Sequence, residues 1–263
     1  MEDLHSYRLV IAYDGTDFHG WMDNQGVRTV QGILKESVSV LTDETVEVEG
    51  SSRTDSGVHA RGHLVRIRLR EFIEPDTLQR SLQGITPADI EVISCEVAEA
   101  DWHPRFNAIG KRYLYRISNG PRRPLFQERT SWWVRSKLDL EAMRSAAAGL
   151  IGRHDFASFR TRSKDAPEDT VRCIHELSID GDQDRVWIQV VGDGFLYQMV
   201  RNLVGTLVEV GRGFREADDV RDILESRDRR QAGVAAPPQG LFLMEVACQG
   251  ESVPSCRSTE FYP

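Results

Sequence analysis

From Val65 to Arg70 aliphatic and arginine side chains alternate strictly, in the run VRIRLR. A period of two sends Val65, Ile67 and Leu69 to one face of an extended chain and Arg66, Arg68 and Arg70 to the other, which predicts a strand with one face in a core. Upstream, Val46 and Val48 alternate in the same way and predict a second strand. Between the two lies SSRTDSGVHARGH, Ser51 to His63, a loop-like segment holding one carboxylate, two arginines and two histidines.

The rest of the chain supplies elements in a recognisable order. YRLVIAY, from Tyr7 to Tyr13, reads as a strand ending in an Asp14-Gly15 turn. Val30, Ile33, Leu34, Val38 and Leu41 recur at helical spacing. A helix from Pro75 to about Gln83 and strands near 90–97 and 111–118 follow. Strand, helix, strand, strand, helix, strand, with one strand added, is the ferredoxin-like pattern. The second half predicts a strand at TSWWV (Thr130 to Val134), a helix at 139–150, paired strands at 172–180 and 185–191, and a long helix over about 196–211. A charged helix near 216–226 and the strand LFLMEV (Leu241 to Val246) complete it. The expected fold class is α+β, in two ferredoxin-like or RNP-like halves whose antiparallel sheets are flanked by helices. The expected bounds are 1–120 and 121–248, with PRRP (Pro121 to Pro124) as the crossover. The aperiodic segment 249–263 reads as a disordered tail.

With 263 residues, 40% hydrophobic and 28% charged, the composition is that of an ordinary soluble globular protein. The cysteines Cys95, Cys173, Cys248 and Cys256 show neither C-x-x-C spacing nor a disulfide framework, and read as reduced thiols. No apolar run approaches the roughly 18 residues that span a bilayer, and the start MEDLHSYRLV is acidic and polar, so the expectation is a cytoplasmic protein with no membrane partner. The net charge of −8 speaks against a polyanionic partner, because cations supply most of the affinity for nucleic acid. Its distribution speaks the other way. Residues 101–135 hold eight cations against Asp101 and Glu128, and residues 53–70 hold five arginines against Asp55. The pattern predicts a positive groove on a negative body.

Locally, Asp55 has two readings. A loop Asp beside arginines is held ionised, and a Gly two residues on permits a tight turn; Asp-Ser-Gly is also an ordinary turn with no chemistry. The wider sequence adds a resemblance. RTDSGVHA (Arg53 to Ala60) is similar to the RTDxGVHA signature of the TruA family of tRNA pseudouridine synthases. YDGTDFHGW (Tyr13 to Trp21), TVQG (Thr29 to Gly32), RFNA (Arg105 to Ala108), KRYLY (Lys111 to Tyr115), HDFASF (His154 to Phe159), GFLYQMVRNLVG (Gly194 to Gly205) and APPQGLFL (Ala236 to Leu243) resemble the same family in the same order, from about Tyr7 to Val246.

That resemblance implies an enzyme built from two α+β halves around an RNA-binding cleft and acting as a homodimer. It implies isomerisation of uridines 38, 39 and 40 in the anticodon stem-loop of tRNA, with no cofactor and no metal. Asp55 is then the catalytic carboxylate, Tyr113 an active-site ring that stacks on the base, and Arg201 a partner of the carboxylate. Arg53 and His59 are RNA-contacting candidates, and Leu241 lines the uracil pocket. Tyr115 shares a strand face with Tyr113 and is the competing aromatic. His59 and His63 also read as hydrogen-bonded structural groups, and His154 with Asp155 as a buried polar or turn pair. Departures from the family pattern fall at Met22, Ser51, Ser52 and His63, where Gln, Ala, Gly and Gln are common. A relative acting on another RNA position, and a non-catalytic RNA binder on the same scaffold, are the alternative functions; a carboxylate glycosidase lacks a nominated second acid.

Overall fold

The computed structural model describes residues 4–162, 168–182 and 184–257. The first elements are β1 (His5–Tyr13), α1 (Val30–Thr42), β2 (Val48–Gly50), β3 (His59–Leu69), α2 (Pro75–Ile85) and β4 (Ile90–Val97). Then come β5 (Ala108–Asn119), β6 (Trp132–Val134), α3 (Leu140–Ala148), β7 (Gly152–Asp155), β8 (Val171–Gly181), β9 (Arg185–Gly192), α4 (Met199–Gly211), α5 (Asp219–Ser226) and β10 (Leu241–Cys248). Among the described residues no helix is long and apolar enough to cross a membrane.

The chain forms two compact units. One runs to Ile109 and takes in Phe242–Ser252; the other is Gly110–Leu241 with the residues from Val253 on. This differs from a division at residue 120 with a crossover at PRRP. Hydrogen bonding decides the difference: β5 pairs antiparallel with β9 from Lys111↔Gly192 to Ser118↔Arg185, while β10 runs parallel to β3 at Phe242↔His59. The expected tail is also partly ordered. Gln249 N–H donates to the Asn107 carbonyl at 2.9 Å, Glu251 pairs with Arg8 at 2.6 Å, and Arg257 N–H donates to Gln189 Oε1 at 3.2 Å. Residues 258–263 lie outside the described residues.

In the first unit β1 lies between β3 and β4, antiparallel to both. β2 pairs with β3 near Val65–Ile67, further along the strand than the β10 contact, so β2 and β10 share the edge of β3 that β1 leaves. α1 and α2 pack against this sheet through Val30, Leu34, Val38, Leu78 and Leu82, over Tyr7, Leu9, Ile11, Val65, Ile67 and Leu69, all fully buried. Each of those aliphatic side chains contributes about 1.5–3 kcal/mol of burial. In the second unit the order is β5-β9-β8, antiparallel throughout, with β7 on the outer side of β8 and a short parallel β6 on β5. β7, at GRHD, was not legible as a strand because it is four residues long and carries no alternation. Two of the thiols are pushed up by burial, Cys95 to about 12 and Cys256 to about 11, so both stay neutral near pH 7.

Arg66 and Arg68 of β3 are held by carboxylates of this unit rather than presented to a polyanion. Arg8 and Arg66 stand opposite each other on β1 and β3; Glu96 lies opposite Arg8 on β4, and Glu49 opposite Arg66 on β2. Arg8 Nε is 3.3 Å from Glu96, Arg66 pairs with Glu49 and donates to the Trp102 carbonyl, and Arg68 pairs with Glu47. The counter-charges Glu47 and Glu49 fall just outside the segment whose balance looked basic. Arg66 is 6% exposed, so its removal strands the Trp102 carbonyl without a donor and leaves Glu49 with His103 alone, 3.3 Å away. Arg66→Ala should therefore lower the unfolding free energy by about 3 kcal/mol, measured by urea titration, and a loss below 1 kcal/mol would show the ladder to be a solvated surface feature.

Candidate active site

Asp55 sits in the loop joining β2 to β3, partly exposed. Its carbonyl accepts the Val58 N–H at 3.1 Å, and Gly57 at the third position has φ 79. These are the marks of a type II turn, which needs a residue free to adopt positive φ there. Asp55 thus does close a turn. Its sequence neighbours Arg53 and Ser56 are exposed.

The segment Tyr13 to Trp21 holds that turn from below. Thr54 carbonyl accepts the Trp21 N–H at 3.1 Å, and Phe18 carbonyl accepts the Gly57 N–H and the Ser56 hydroxyl, each at 3.2 Å. The approach is so close that two positions exclude a side chain. A Cβ on Gly15 would lie 2.0 Å from the Val58 oxygen, and one on Gly20, which has φ +90, would lie 2.6 Å from the Thr54 oxygen. Thr29 and Gln31 fix this segment in turn: Thr29 caps α1 through Gly32 N–H at 3.2 Å, and Gln31 accepts from Asp23 N–H at 2.8 Å while donating to the Val48 carbonyl at 2.6 Å. YDGTDFHGW and TVQG are therefore the mounting of the Asp55 loop.

Two buried histidines complete the mounting. His63 is fully buried. Ser52 N–H donates to its Nε2 at 3.3 Å, which leaves Nδ1 to carry the ring proton toward the Tyr13 hydroxyl, 3.1 Å away. Tyr13 in turn meets Thr54 Oγ1 at 2.8 Å, and Trp21 lies against the His63 ring at 4.2 Å. The two departures Ser52 and His63 thus touch one another. His59 is 2% exposed and lies beneath the loop: Gly15 N–H donates to its Nδ1 at 3.0 Å, Asp14 Oδ1 is 3.2 Å from the same nitrogen, and Phe242 stacks on its ring at 4.6 Å. Met22 is 41% exposed. Sequence reasoning missed the supporting parts of Tyr13 and Thr54; the only signal for them was their place inside matched stretches.

The second unit assembles the other candidates. Tyr113 and Tyr115 share a face of β5 but have different surroundings. Tyr113, 7% exposed, meets Phe195 edge to face at 5.1 Å. Tyr115 is fully buried and donates to the Pro237 carbonyl at 2.7 Å; burial raises its pKa well above the ordinary tyrosine value, with the nearby Arg201 charge opposing the rise. Arg201 on α4 donates through Nε to the Ala236 carbonyl at 2.7 Å and accepts the Ala236 N–H on its own carbonyl at 2.9 Å. Beside Gly205 lies the Val234 carbonyl, which a Cβ there would meet at 1.8 Å. Leu241, 5% exposed, ends the same 236–241 segment.

HDFASF packs into this unit. Asp155 accepts from Ala157 N–H at 3.1 Å and from the Thr170 hydroxyl. Asn202, fully buried beside Arg201, donates to the Phe159 carbonyl at 2.8 Å and accepts from Arg229 at 2.8 Å. The structure thus groups Arg53, Asp55 and His59 in one unit, and Tyr113, Arg201 and Leu241 in the other.

Comparison with known proteins bears on both groups. The family model described as tRNA pseudouridine synthase matches residues 9–107 and 146–247. A tRNA pseudouridine synthase A of Brevibacillus brevis is 43% identical over 239 residues, covering 91% of this chain and 98% of that protein. The protein of the same name from Acetivibrio thermocellus is 40% identical over 243 residues, 92% of this chain and 99% of its own length. One from a Thermoanaerobacter species is 38% identical over 243 residues, with the same two coverages. With its matched stretches lying in both units, this chain belongs to the tRNA pseudouridine synthase family.

Proposed function

We propose that this protein isomerises uridines 38, 39 and 40 of the tRNA anticodon stem-loop to pseudouridine, with Asp55 as the catalytic carboxylate. The observation that carries the reading is the mounting of the Asp55 turn: buried polar groups and close backbone contacts hold a partly exposed carboxylate that packing alone does not need. The reaction breaks the bond from C1′ to N1, turns the uracil and rejoins it through C5. Asp55 starts it at the nucleotide, either as a nucleophile or by stabilising and deprotonating a glycal-forming sugar.

Tyr113 stacks on the extruded base and helps move the C5 proton. Its milieu supports that choice over Tyr115, whose hydroxyl is already committed to Pro237. Arg201 is the partner of the carboxylate, with Nε tied to Ala236 so that its fork is held in one orientation. Arg53 contacts the RNA and helps keep the base out of its stack. Leu241 lines the uracil pocket. His59, an RNA-contacting candidate by the sequence, is only 2% exposed and serves instead to position the loop through the Gly15 N–H bond to its Nδ1. Because the bases at three adjacent positions differ between tRNAs, recognition rests on backbone and shape more than on base edges. The protein works as a homodimer in the cytoplasm, without a cofactor.

Two measurements test this reading. Asp55→Asn should abolish tritium release from tRNA labelled at uridine C5 while tRNA binding stays within a few fold; full activity in that variant would end the assignment. Gly15→Ala forces Val58 to move, and a displacement of about 1 Å costs roughly a hundredfold in rate. It should lower kcat by about that factor in a protein that still unfolds cooperatively, whereas an unchanged kcat would show that the clamp does not position Asp55.

A further inference from the structure

The crossover connection between β5 and β6, residues 120–131, is not used by the chemistry described above. Its tip is apolar and exposed: Leu125 has 71% of its surface accessible and Phe126 all of it. A solvated phenylalanine usually marks a mobile segment or an unfilled contact. Here the backbone is pinned. Gln127 N–H donates to the Pro124 carbonyl at 2.9 Å and Thr130 N–H to the Gln127 carbonyl at 3.0 Å. Ser131 Oγ lies 2.8 Å from Ser118 Oγ and donates to the Gln127 carbonyl at 2.8 Å. At the stem, Trp133 Nε1 donates to the Gly120 carbonyl at 2.9 Å, and Asn119 donates to the Val134 and Ser136 carbonyls at 2.9 and 2.6 Å.

The surroundings of this tip are cationic. Residues 120–137 contain Arg122, Arg123, Arg129, Arg135 and Lys137 against the single acid Glu128, a local charge of +4 in a chain of −8. Glu128 pairs with Arg123. Arg122, Arg129, Arg135 and Lys137 are exposed, and Trp133 is 37% exposed at the stem. A rigidly presented ring among arginines is how single-stranded nucleic acid is held: bases stack on the ring and phosphates meet the cations.

We infer that this loop is a second RNA contact, in which Phe126 stacks on an unpaired base of tRNA while Arg122 and Arg129 bind the flanking phosphates. The inference rests on the reading of the protein as a tRNA-modifying enzyme. The six steps of β5 from Tyr113 to Asn119 span about 20 Å, so the base held here is not the one that Tyr113 would stack on. The surface adds affinity for the body of the RNA.

The test uses full-length protein and unmodified tRNA in filter binding, with sedimentation run in parallel. Phe126→Ala should weaken tRNA binding about ten- to a hundredfold, and Arg122→Ala with Arg129→Ala should reduce the salt dependence of log Kd by about 2. Val40→Ala, an exposed apolar change on α1, should leave affinity unchanged. Unaltered affinity and salt slope in the loop variants would overturn the inference. So would a loss of affinity accompanied by dissociation of the protein, since the tip would then be an interface between copies. Wild-type protein that binds tRNA through Phe126 yet forms no pseudouridine would support the loop and refute the assigned reaction.

Discussion

The first unit depends on one close approach, between the segment Tyr13 to Trp21 and the turn that carries Asp55. Backbone oxygen atoms of Thr54 and Val58 occupy the positions where side chains of residues 20 and 15 would begin. No side chain smaller than hydrogen exists, so glycine at both places is a geometric requirement. Everything around the contact serves it. Gly20 carbonyl accepts the Val30 N–H that opens α1, Gln31 ties α1 to β2, and the His63, Tyr13 and Thr54 hydrogen bonds run beneath the turn. The backbone that carries Asp55 is thereby fixed at several points rather than left as a free loop.

Much of this was legible in the sequence, and for identifiable reasons. Strict alternation at 65–70 and helical spacing at 30–41 gave β3 and α1, because one buried face leaves a period that a reader can count. Asp55 was assigned to a loop between two strands for the same reason. What was not legible came from distant pairing. The unit boundary at Ile109 follows from β5 bonding to β9 and β10 returning to β3, and nothing near residue 109 announces either partner. The order of Gln249 to Arg257 likewise comes from single hydrogen bonds to residues far away in sequence. The uses of Tyr13 and Thr54 also depend on which side chains the fold brings together.

Charge shows the same limit. Counting cations along residues 53–70 predicted a basic surface, but the cross-strand register sets Glu49 against Arg66, and Arg68 pairs with Glu47. Arg66 and Arg68 thus serve the sheet, while Arg53, Arg61 and Arg70 are exposed. The far end of the segment 101–135 differs, since Arg122, Arg123, Arg129 and Arg135 are all exposed there, in the same stretch as the fully exposed Phe126. Linear charge density thus says little until each cation has been given its partner.

The central claim is that the mounted Asp55 acts on uridines 38–40 of tRNA. The most direct measurement maps pseudouridine in total RNA from otherwise identical cells with and without the gene for this protein, with the Asp55→Asn version as the third sample. The account predicts signals at tRNA positions 38, 39 and 40 that require the intact Asp55. Signals confined to other RNA positions, or signals that persist in the Asp55→Asn sample, would contradict it.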